Sequence, residues 1–197
     1  LLSSDGTYDF RDFFPTQNIT NTYEQYSKSS LSDAEYAFDY QRSATYTMTD
    51  TGFEITFSGD EEGKDVITVS SDKLTDVYTS SNYTNTIEIL RSFNLNDTVY
   101  EISDGLEKCV ADSVDATKTF EVNSNSYTFD DVLTVKCTYE DDSSNGGIDI
   151  SYQYYAKGKD FVALYDKDCY DESGNINDTL TTCASGSESL EVLVASE

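Results

Sequence analysis

From Arg42 to the end of the chain, apolar and polar residues alternate in short runs, and turn residues separate one run from the next. The run ATYTMT, for example, passes through Asp50-Thr51-Gly52 into FEITFS, which is the pattern of two strands joined by a hairpin turn. About a dozen such runs, rich in Thr, Tyr, Val and Ile, follow one another without helical periodicity between them. The sequence therefore predicts an all-β fold with antiparallel strands, either a β-sandwich or a partly open β-barrel.

Residues 1–40 lack this pattern and are expected to form an N-terminal extension of a β-domain that spans residues 41–197. Within the extension, the segment YDFRDFFP is unusually aromatic for a region close to a chain end. Further on, Ser32 and Glu35 have the spacing of a helix capping box, so one short helix is expected there.

The charge and the absence of histidine exclude several classes of function. With 38 acidic and 12 basic residues, the chain has a formal charge of −26, which argues against nucleic acid or an anionic membrane as a partner. Without histidine, Ser-His-Asp, Cys-His and zinc-histidine chemistry are excluded. A glycosidase would need two opposed carboxylates, and no pair stands out from the acidic background. We therefore name no catalytic residue and expect a protein that is not an enzyme.

The four cysteines fit two structural disulfides better than a metal site, because they have no C-x-x-C spacing. We expect sequence neighbours to pair, Cys109 with Cys137 and Cys169 with Cys183, although the sequence alone leaves the connectivity open. Oxidised cysteines imply a periplasmic or extracellular location.

Other features agree with export to the cell surface or beyond. The chain begins at Leu1 rather than Met and has no apolar stretch long enough to span a bilayer, as expected for the mature form of an exported protein without a transmembrane segment. Sequons for N-linked glycosylation occur at Asn18, Asn82, Asn96 and Asn177.

Acidic turns supply the oxygen ligands that Ca²⁺ prefers, so calcium is the expected cofactor if the chain binds one. The first candidates lie in two turns, and their acidic residues are Asp166, Asp168, Asp171, Glu172, Glu140, Asp141 and Asp142. A third acidic turn, GDEEGKD at residues 59–65, ranks behind them. None of the three has the spacing of an EF-hand loop, and the alternative is that these acids only form solvated turns.

Both ends of the chain are apolar and need a surface to pack against. The candidate contact residues are Tyr8, Phe10, Phe13, Phe14, Leu190, Val192 and Val194. If each end docks on a neighbouring copy by strand addition, the protein is a self-associating subunit of an extracellular filament or surface layer. The alternative is that both ends pack on their own domain.

The segment YTFDDVLTVKCTYEDDSSNGGIDISYQYYAKGKDFVALYDKDC resembles a pattern found in uncharacterised bacterial exported lipoproteins, as does the opening DGTYDFRDFFP. In those proteins a Y-x-D-V-L-x-V strand precedes Y-Y-A-K-G-x-G-x-V, which corresponds here to residues 154–162. The second glycine of that turn is Asp160 in this chain, so the hairpin is expected to differ in geometry or to bind a cation. The resemblance implies a β-rich envelope protein without an assigned activity. It supports, as the alternative to a filament, a monomeric lipoprotein-type module that binds an apolar ligand or a glycan within the curved sheet.

Overall fold

The computed structural model describes residues 7–59, 63–81, 83–102, 106–140 and 147–197. The described residues form a 3-10 helix at Phe10–Phe13 and the strands β1 (Tyr8–Asp9), β2 (Ile19–Lys28), β3 (Ala37–Met48), β4 (Gly52–Gly59), β5 (Gly63–Val69), β6 (Lys73–Thr79), β7 (Thr84–Leu90), β8 (Ser92–Phe93), β9 (Thr98–Ile102), β10 (Glu107–Val122), β11 (Asn125–Glu140), β12 (Ile148–Ala156), β13 (Asp160–Asp166), β14 (Cys169–Tyr170), β15 (Ser185–Gly186) and β16 (Glu188–Ser196). None of the helices in these ranges is long and apolar enough to cross a membrane.

Twelve of the strands form one antiparallel sheet in the order β7-β6-β5-β4-β3-β2-β16-β13-β12-β11-β10-β9. Its two edge strands, β7 and β9, approach each other, with Cα atoms of the two strands within 8 Å. The sheet therefore curls into a nearly closed, barrel-like shape. This arrangement confirms the predicted antiparallel all-β fold.

The N-terminal extension contributes directly to this sheet. Strand β2 lies between β16 and β3, and β3 crosses the expected boundary at residue 40. The short helix expected at Ser32 is not formed, since residues 29–36 adopt turns and bends. The carboxylate of Asp33 accepts hydrogen bonds from the Ser29 hydroxyl and the Ser30 backbone N–H, which closes a local turn before strand β3 begins.

The aromatic N-terminal segment is buried in its own chain. Phe10 and Phe13 are fully buried, and the Phe10 ring lies 5.2 Å from that of Tyr155 between ring centroids. Phe14 packs against Phe53 at 4.9 Å, and the half-buried Tyr8 stacks on the ring of Phe93. In this fold the side chains of the segment fill the interior of their own sheet, which favours the alternative that this end packs on its own domain over docking on a neighbouring copy.

The C-terminal strand also finds its partners within the chain. Strand β16 pairs with β13 on one side and with β2 on the other, so it has no free edge for strand addition. Leu190 and Val192 are buried on one face of β16, Leu193 is buried on the other, and Val194 is half-buried. As at the N-terminus, the residues expected to form subunit contacts are engaged inside one molecule.

Two disulfides fasten the chain, with the pairing expected from the sequence. Cys109 and Cys137 lie directly opposite each other on β10 and β11, with their Cα atoms 4.0 Å apart. Cys169 and Cys183 close a loop beyond β14. By constraining the unfolded chain, each cross-link contributes stability of about 3 kcal/mol.

Candidate functional site

A cavity of about 160 Å³ lies inside the barrel-like sheet, next to the N-terminal segment and the β12–β13 hairpin. Six aromatic side chains and three isoleucines form most of its wall. The wall also contains Arg42 and three aspartates, Asp65, Asp76 and Asp160. Buried carboxyl groups are costly unless they are protonated, hydrogen-bonded or paired, so this cavity is the first place to seek a function.

Asp160 reaches the cavity because of its position in the β12–β13 hairpin. It is the first residue of β13, and its φ of 67° lies in the left-handed region that favours glycine. Gly158 of the same turn also has a positive φ, and its N–H donates to the Asp12 carbonyl. An aspartate therefore occupies a strained backbone position, with a side chain that is only 4% exposed.

The carboxyl group of Asp160 accepts one side-chain hydrogen bond. The hydroxyl of Tyr46 donates a 2.7 Å hydrogen bond to Oδ2, whereas Oδ1 is buried and has no hydrogen-bond partner among the described residues. Burial raises the pKa of Asp160 to about 7, even though the Tyr46 hydroxyl, the neighbouring Phe161 backbone N–H and the charge of Arg11 act in the opposite direction. This carboxyl group is therefore poised between its neutral and charged forms near neutral pH.

Two neighbouring side chains hold the hairpin tip in place. The hydroxyl of Tyr23 donates to the Phe161 carbonyl at 3.0 Å. The amide of Asn21 donates to the Lys159 carbonyl at 2.9 Å and to the Tyr23 hydroxyl at 3.2 Å. Because these bonds anchor both backbone neighbours of Asp160, the position of its side chain is well defined.

Asp65 and Asp76 face the same cavity from strands β5 and β6. The strand register pairs Ile67 with Asp76 and Asp65 with Tyr78, so the two aspartates are diagonal neighbours on the inner face. Their side chains are hydrogen-bonded to each other, and burial raises the pKa of Asp76 to about 6. A hydrogen bond between two carboxyl groups requires one of them to carry a proton, so this pair holds at most one negative charge while the bond is intact.

Arg42 is the one basic residue among the described residues of the cavity wall. Its guanidinium group forms an ion pair with Glu191, in which Nε donates to Oε1 and Nη2 donates to Oε2 at 3.0 Å. The same group lies over the rings of Tyr23 and Phe57, at 5.2 and 5.3 Å from their centroids. The positive charge of Arg42 is thus paired with the carboxylate of Glu191, which is not part of the cavity lining.

An outer groove of about 840 Å³ follows the seam between β7 and β9. Ile89 on β7 lines both this groove and the interior cavity. This side chain, which is 8% exposed, therefore forms part of the partition between the cavity and the seam.

A second acidic cluster consists of Asp149, Asp166 and Asp178, whose carboxylate oxygens lie within 4.8 Å of one another. Burial, followed by the charges of Asp149 and Asp168, raises the pKa of Asp166 to about 6. Asp178 accepts hydrogen bonds from the backbone N–H groups of Ile150, at 2.8 Å, and Cys169, at 2.6 Å. Among the described residues, Asp166 is the one predicted calcium ligand in this cluster, and Asp149 and Asp178 come from other segments of the chain.

The other predicted calcium ligands are spread over separate positions. Asp168 accepts a hydrogen bond from the Ser187 hydroxyl, Asp171 accepts from backbone N–H groups of its own turn, and Glu172 and Glu140 are exposed. Asp141 and Asp142, like residues 60–62 of the third acidic turn, lie outside the described residues. Calcium binding stays a prediction.

The predicted glycosylation sites differ in their surroundings. Asn18 is exposed and accepts a hydrogen bond from the Met48 backbone, and Asn96 lies in an exposed turn with a φ of 74°. Asn177 is half-buried and accepts a hydrogen bond from the Thr179 hydroxyl at 2.5 Å. Asn82 lies outside the described residues.

Comparison with known proteins identifies a shared fold. No protein-family model and no curated protein matches the chain. Among solved structures, the chain is similar to the crystal structure of a protein from Parabacteroides distasonis described as a "putative lipoprotein". The TM-score is 0.52 at 13% sequence identity, and the match covers 96% of this chain and 99% of that chain. The likeness therefore shows a common fold over nearly the whole length of both chains.

Proposed function

We propose that this protein is an exported, envelope-type module that binds a small ligand in the cavity inside its barrel-like sheet. The observation that carries the proposal is the wall of that cavity, where aromatic rings surround three carboxyl groups. Ligand sites in proteins characteristically combine apolar walls with a few convergent polar groups. The three aspartates also argue against a wholly apolar ligand.

An envelope location is supported by two observations. The chain contains two disulfides, which persist in oxidising compartments, and it shares its fold with the Parabacteroides distasonis protein described as a "putative lipoprotein". The resemblance of the Y-Y-A-K-G segment to exported lipoproteins points in the same direction.

We propose binding rather than catalysis because of the size of the cavity. A volume of about 160 Å³ is smaller than the roughly 300–1,000 Å³ typical of pockets for drug-sized ligands. At about 30 Å³ per water-sized group, it holds about five non-hydrogen atoms. This leaves no room for a sugar substrate together with an attacking water.

Self-assembly into a filament has less support, because the two apolar ends that suggested it are buried within one molecule.

A ligand-observed NMR screen with small polar compounds would test whether the cavity is a binding site. The variant Ile67→Phe replaces a side chain of the cavity wall with a larger aromatic one. The control Val66→Phe introduces the same phenyl ring on the outer face of the same strand, where Val66 is 37% exposed. We expect Ile67→Phe to abolish binding and Val66→Phe to preserve it.

The same screen can overturn the proposal. Binding that survives Ile67→Phe would locate the ligand elsewhere. If Ile67→Phe does not fold, backbone amide shifts of the wild-type protein decide the question. Ligand-induced shifts confined to residues outside Phe14, strands β2 to β7 and the β12–β13 hairpin would refute the proposed site, since these elements line the cavity.

A further inference from the structure

We infer that the ligand of the interior cavity is a small organic cation with a protonated primary amine, whose N–H groups donate to the carboxyl group of Asp160. This inference rests on the proposed function, and it goes further by naming the chemical class of the ligand. It follows from the negative charge of the Asp160 carboxylate, its unused hydrogen-bond acceptor, the aromatic side chains of the cavity wall and the volume of the cavity.

The carboxyl group of Asp160 faces the cavity and forms no ion pair with the described residues. Arg11 lies near enough to favour the charged form of Asp160, but its own guanidinium donates to the Phe14 and Pro15 carbonyls and lies over the Phe53 ring. A cationic ligand would compensate the negative charge of the Asp160 carboxylate, whereas an anionic ligand would add to it.

The carboxyl group of Asp160 has an unused acceptor. Its side chain is 4% exposed, one oxygen receives the Tyr46 hydroxyl, and the other has no hydrogen-bond partner among the described residues. A buried carboxylate oxygen without a donor is unfavourable, and an ammonium group offers up to three donors from a compact centre. A quaternary ammonium has no N–H to donate, so a primary amine fits this acceptor better.

The remainder of the wall suits a cation with a short hydrocarbon chain. Aromatic faces attract cations, and the two rings beneath Arg42 show this contact within the same cavity. Tyr46, Tyr155 and Phe14 add further ring surface to the wall, and the isoleucines provide apolar contact for methylene groups. With room for about five non-hydrogen atoms, the cavity fits an alkylamine of a few carbons.

Calorimetric titration of the protein at pH 8 with n-butylammonium and with n-butanol tests the inference. The two probes have nearly the same size and shape, but only the amine carries a charge. We expect n-butylammonium to bind at least about tenfold more tightly than n-butanol. Asp160→Asn should weaken binding of the amine by about tenfold or more, because it removes a charge-assisted hydrogen bond.

A matched control variant is Asp131→Asn. Asp131 also has a left-handed backbone, with a φ of 52°, and asparagine is tolerated in that conformation, but its side chain lies outside the cavity wall. The Asp131→Asn protein should bind n-butylammonium with the same affinity as the wild-type protein.

Three results would overturn the inference. Equal affinities for n-butanol and n-butylammonium would show that the site does not distinguish a charged ligand from a neutral one. That result would leave the proposal of a binding site in the cavity unaffected. Unchanged binding to Asp160→Asn would exclude the named acceptor. Absence of binding by both probes would exclude small alkylamines as ligands, while the NMR screen decides separately whether the cavity binds any other compound.

Discussion

The hydroxyl of Tyr46 donates a 2.7 Å hydrogen bond to Oδ2 of Asp160, although 114 positions separate the two residues in the sequence. The bond joins strand β3 to the β12–β13 hairpin across the interior of the barrel-like sheet. It is the side-chain hydrogen bond that the Asp160 carboxyl group accepts in that interior. Variants of Tyr46 and Asp160 therefore test both the stability of the fold and the protonation of the carboxyl group in the cavity.

Removing the hydroxyl of Tyr46 should destabilise the protein in a pH-dependent manner. Tyr46→Phe takes away a donor that favours the charged form of Asp160, so the pKa of that group should rise further above 7. Unfolding by urea should show a loss of roughly 1–3 kcal/mol at pH 8 and a smaller loss at pH 5. Tyr26→Phe is the control, since that hydroxyl donates to the carboxylate of Glu24 outside the cavity. Equal losses of unfolding free energy at pH 5 and pH 8 would show that the Tyr46 hydroxyl does not favour the charged form of Asp160.

The stability of the wild-type protein should fall as the pH rises from about 4 to about 8. The pKa of Asp160 in the folded state is about 7, above its usual value of 3.8, so the folded state retains a proton that the unfolded chain has released. This stabilisation is complete below pH 4 and is lost as the pH passes through 7. For a difference of about three pH units it amounts to roughly 4 kcal/mol at most. Asp76, with a pKa of about 6, acts in the same direction.

Urea midpoints measured at several pH values provide the test of this slope. Asp160→Asn should make the dependence shallower, and Asp131→Asn should leave it unchanged. A slope that Asp160→Asn does not alter would show that other acids of this −26 chain dominate the pH response.

The alternation of apolar and polar residues is the sequence feature that predicts the antiparallel sheet. Alternating strands and turn residues define the antiparallel sheet, and neighbouring cysteines pair as expected. The same pattern contains the signal for two cavity residues, because Asp65 is in phase with Ile67, and Asp76 is in phase with Leu74. A carboxyl group on the apolar phase of a strand indicates either a strained core or a site. Asp65 also belongs to the acidic turn at residues 59–65, and Asp76 belongs to no motif that would single it out as a site residue.

Asp160 has a different signal, since the lipoprotein pattern that this segment resembles has a glycine at that position. The left-handed backbone of Asp160 is one that favours glycine, but the sequence does not show which wall of the sheet the side chain faces. Contacts such as that of Arg42 with Glu191, 149 positions apart, depend on how the sheet closes. Strand pattern alone does not determine this closure, and for the same reason it leaves open whether the two apolar ends pack on their own domain or on neighbouring copies.

Ile89 should control the exchange of a ligand between the cavity and the seam. Ile89→Ala removes part of the partition, whereas Ile67→Ala removes a similar side chain from the cavity wall without opening the seam groove. Both variants should lose roughly 2–5 kcal/mol of stability through lost packing. Only Ile89→Ala should accelerate the dissociation of n-butylammonium, as measured by NMR exchange. Equal acceleration in the two variants would place the route elsewhere.

Calcium binding, predicted from the sequence, should depend on Asp166 rather than on Glu172. Asp166 shares a cluster with Asp149 and Asp178, whereas Glu172 is exposed in a separate turn. Any rise in melting temperature on adding Ca²⁺ should therefore disappear in Asp166→Asn and persist in Glu172→Gln. If the rise in melting temperature is lost in Glu172→Gln instead, the calcium site would lie in the turn at residues 171–175.

The protein should behave as a monomer, since both apolar ends are buried in their own chain. Light scattering after gel filtration should give a mass close to 22.0 kDa. Filaments or large oligomers in negative-stain images would show that the ends leave their own sheet, and would favour the structural role first expected from the sequence.

The most direct test of the central claim is the titration of the Asp160 carboxyl carbon by NMR, with and without n-butylammonium. A bound cation favours the charged form of the acid, so the pKa of Asp160 should fall from about 7 when the amine is present. n-Butanol at the same concentration should not lower it. A titration curve of Asp160 that is identical with and without the amine would contradict the account.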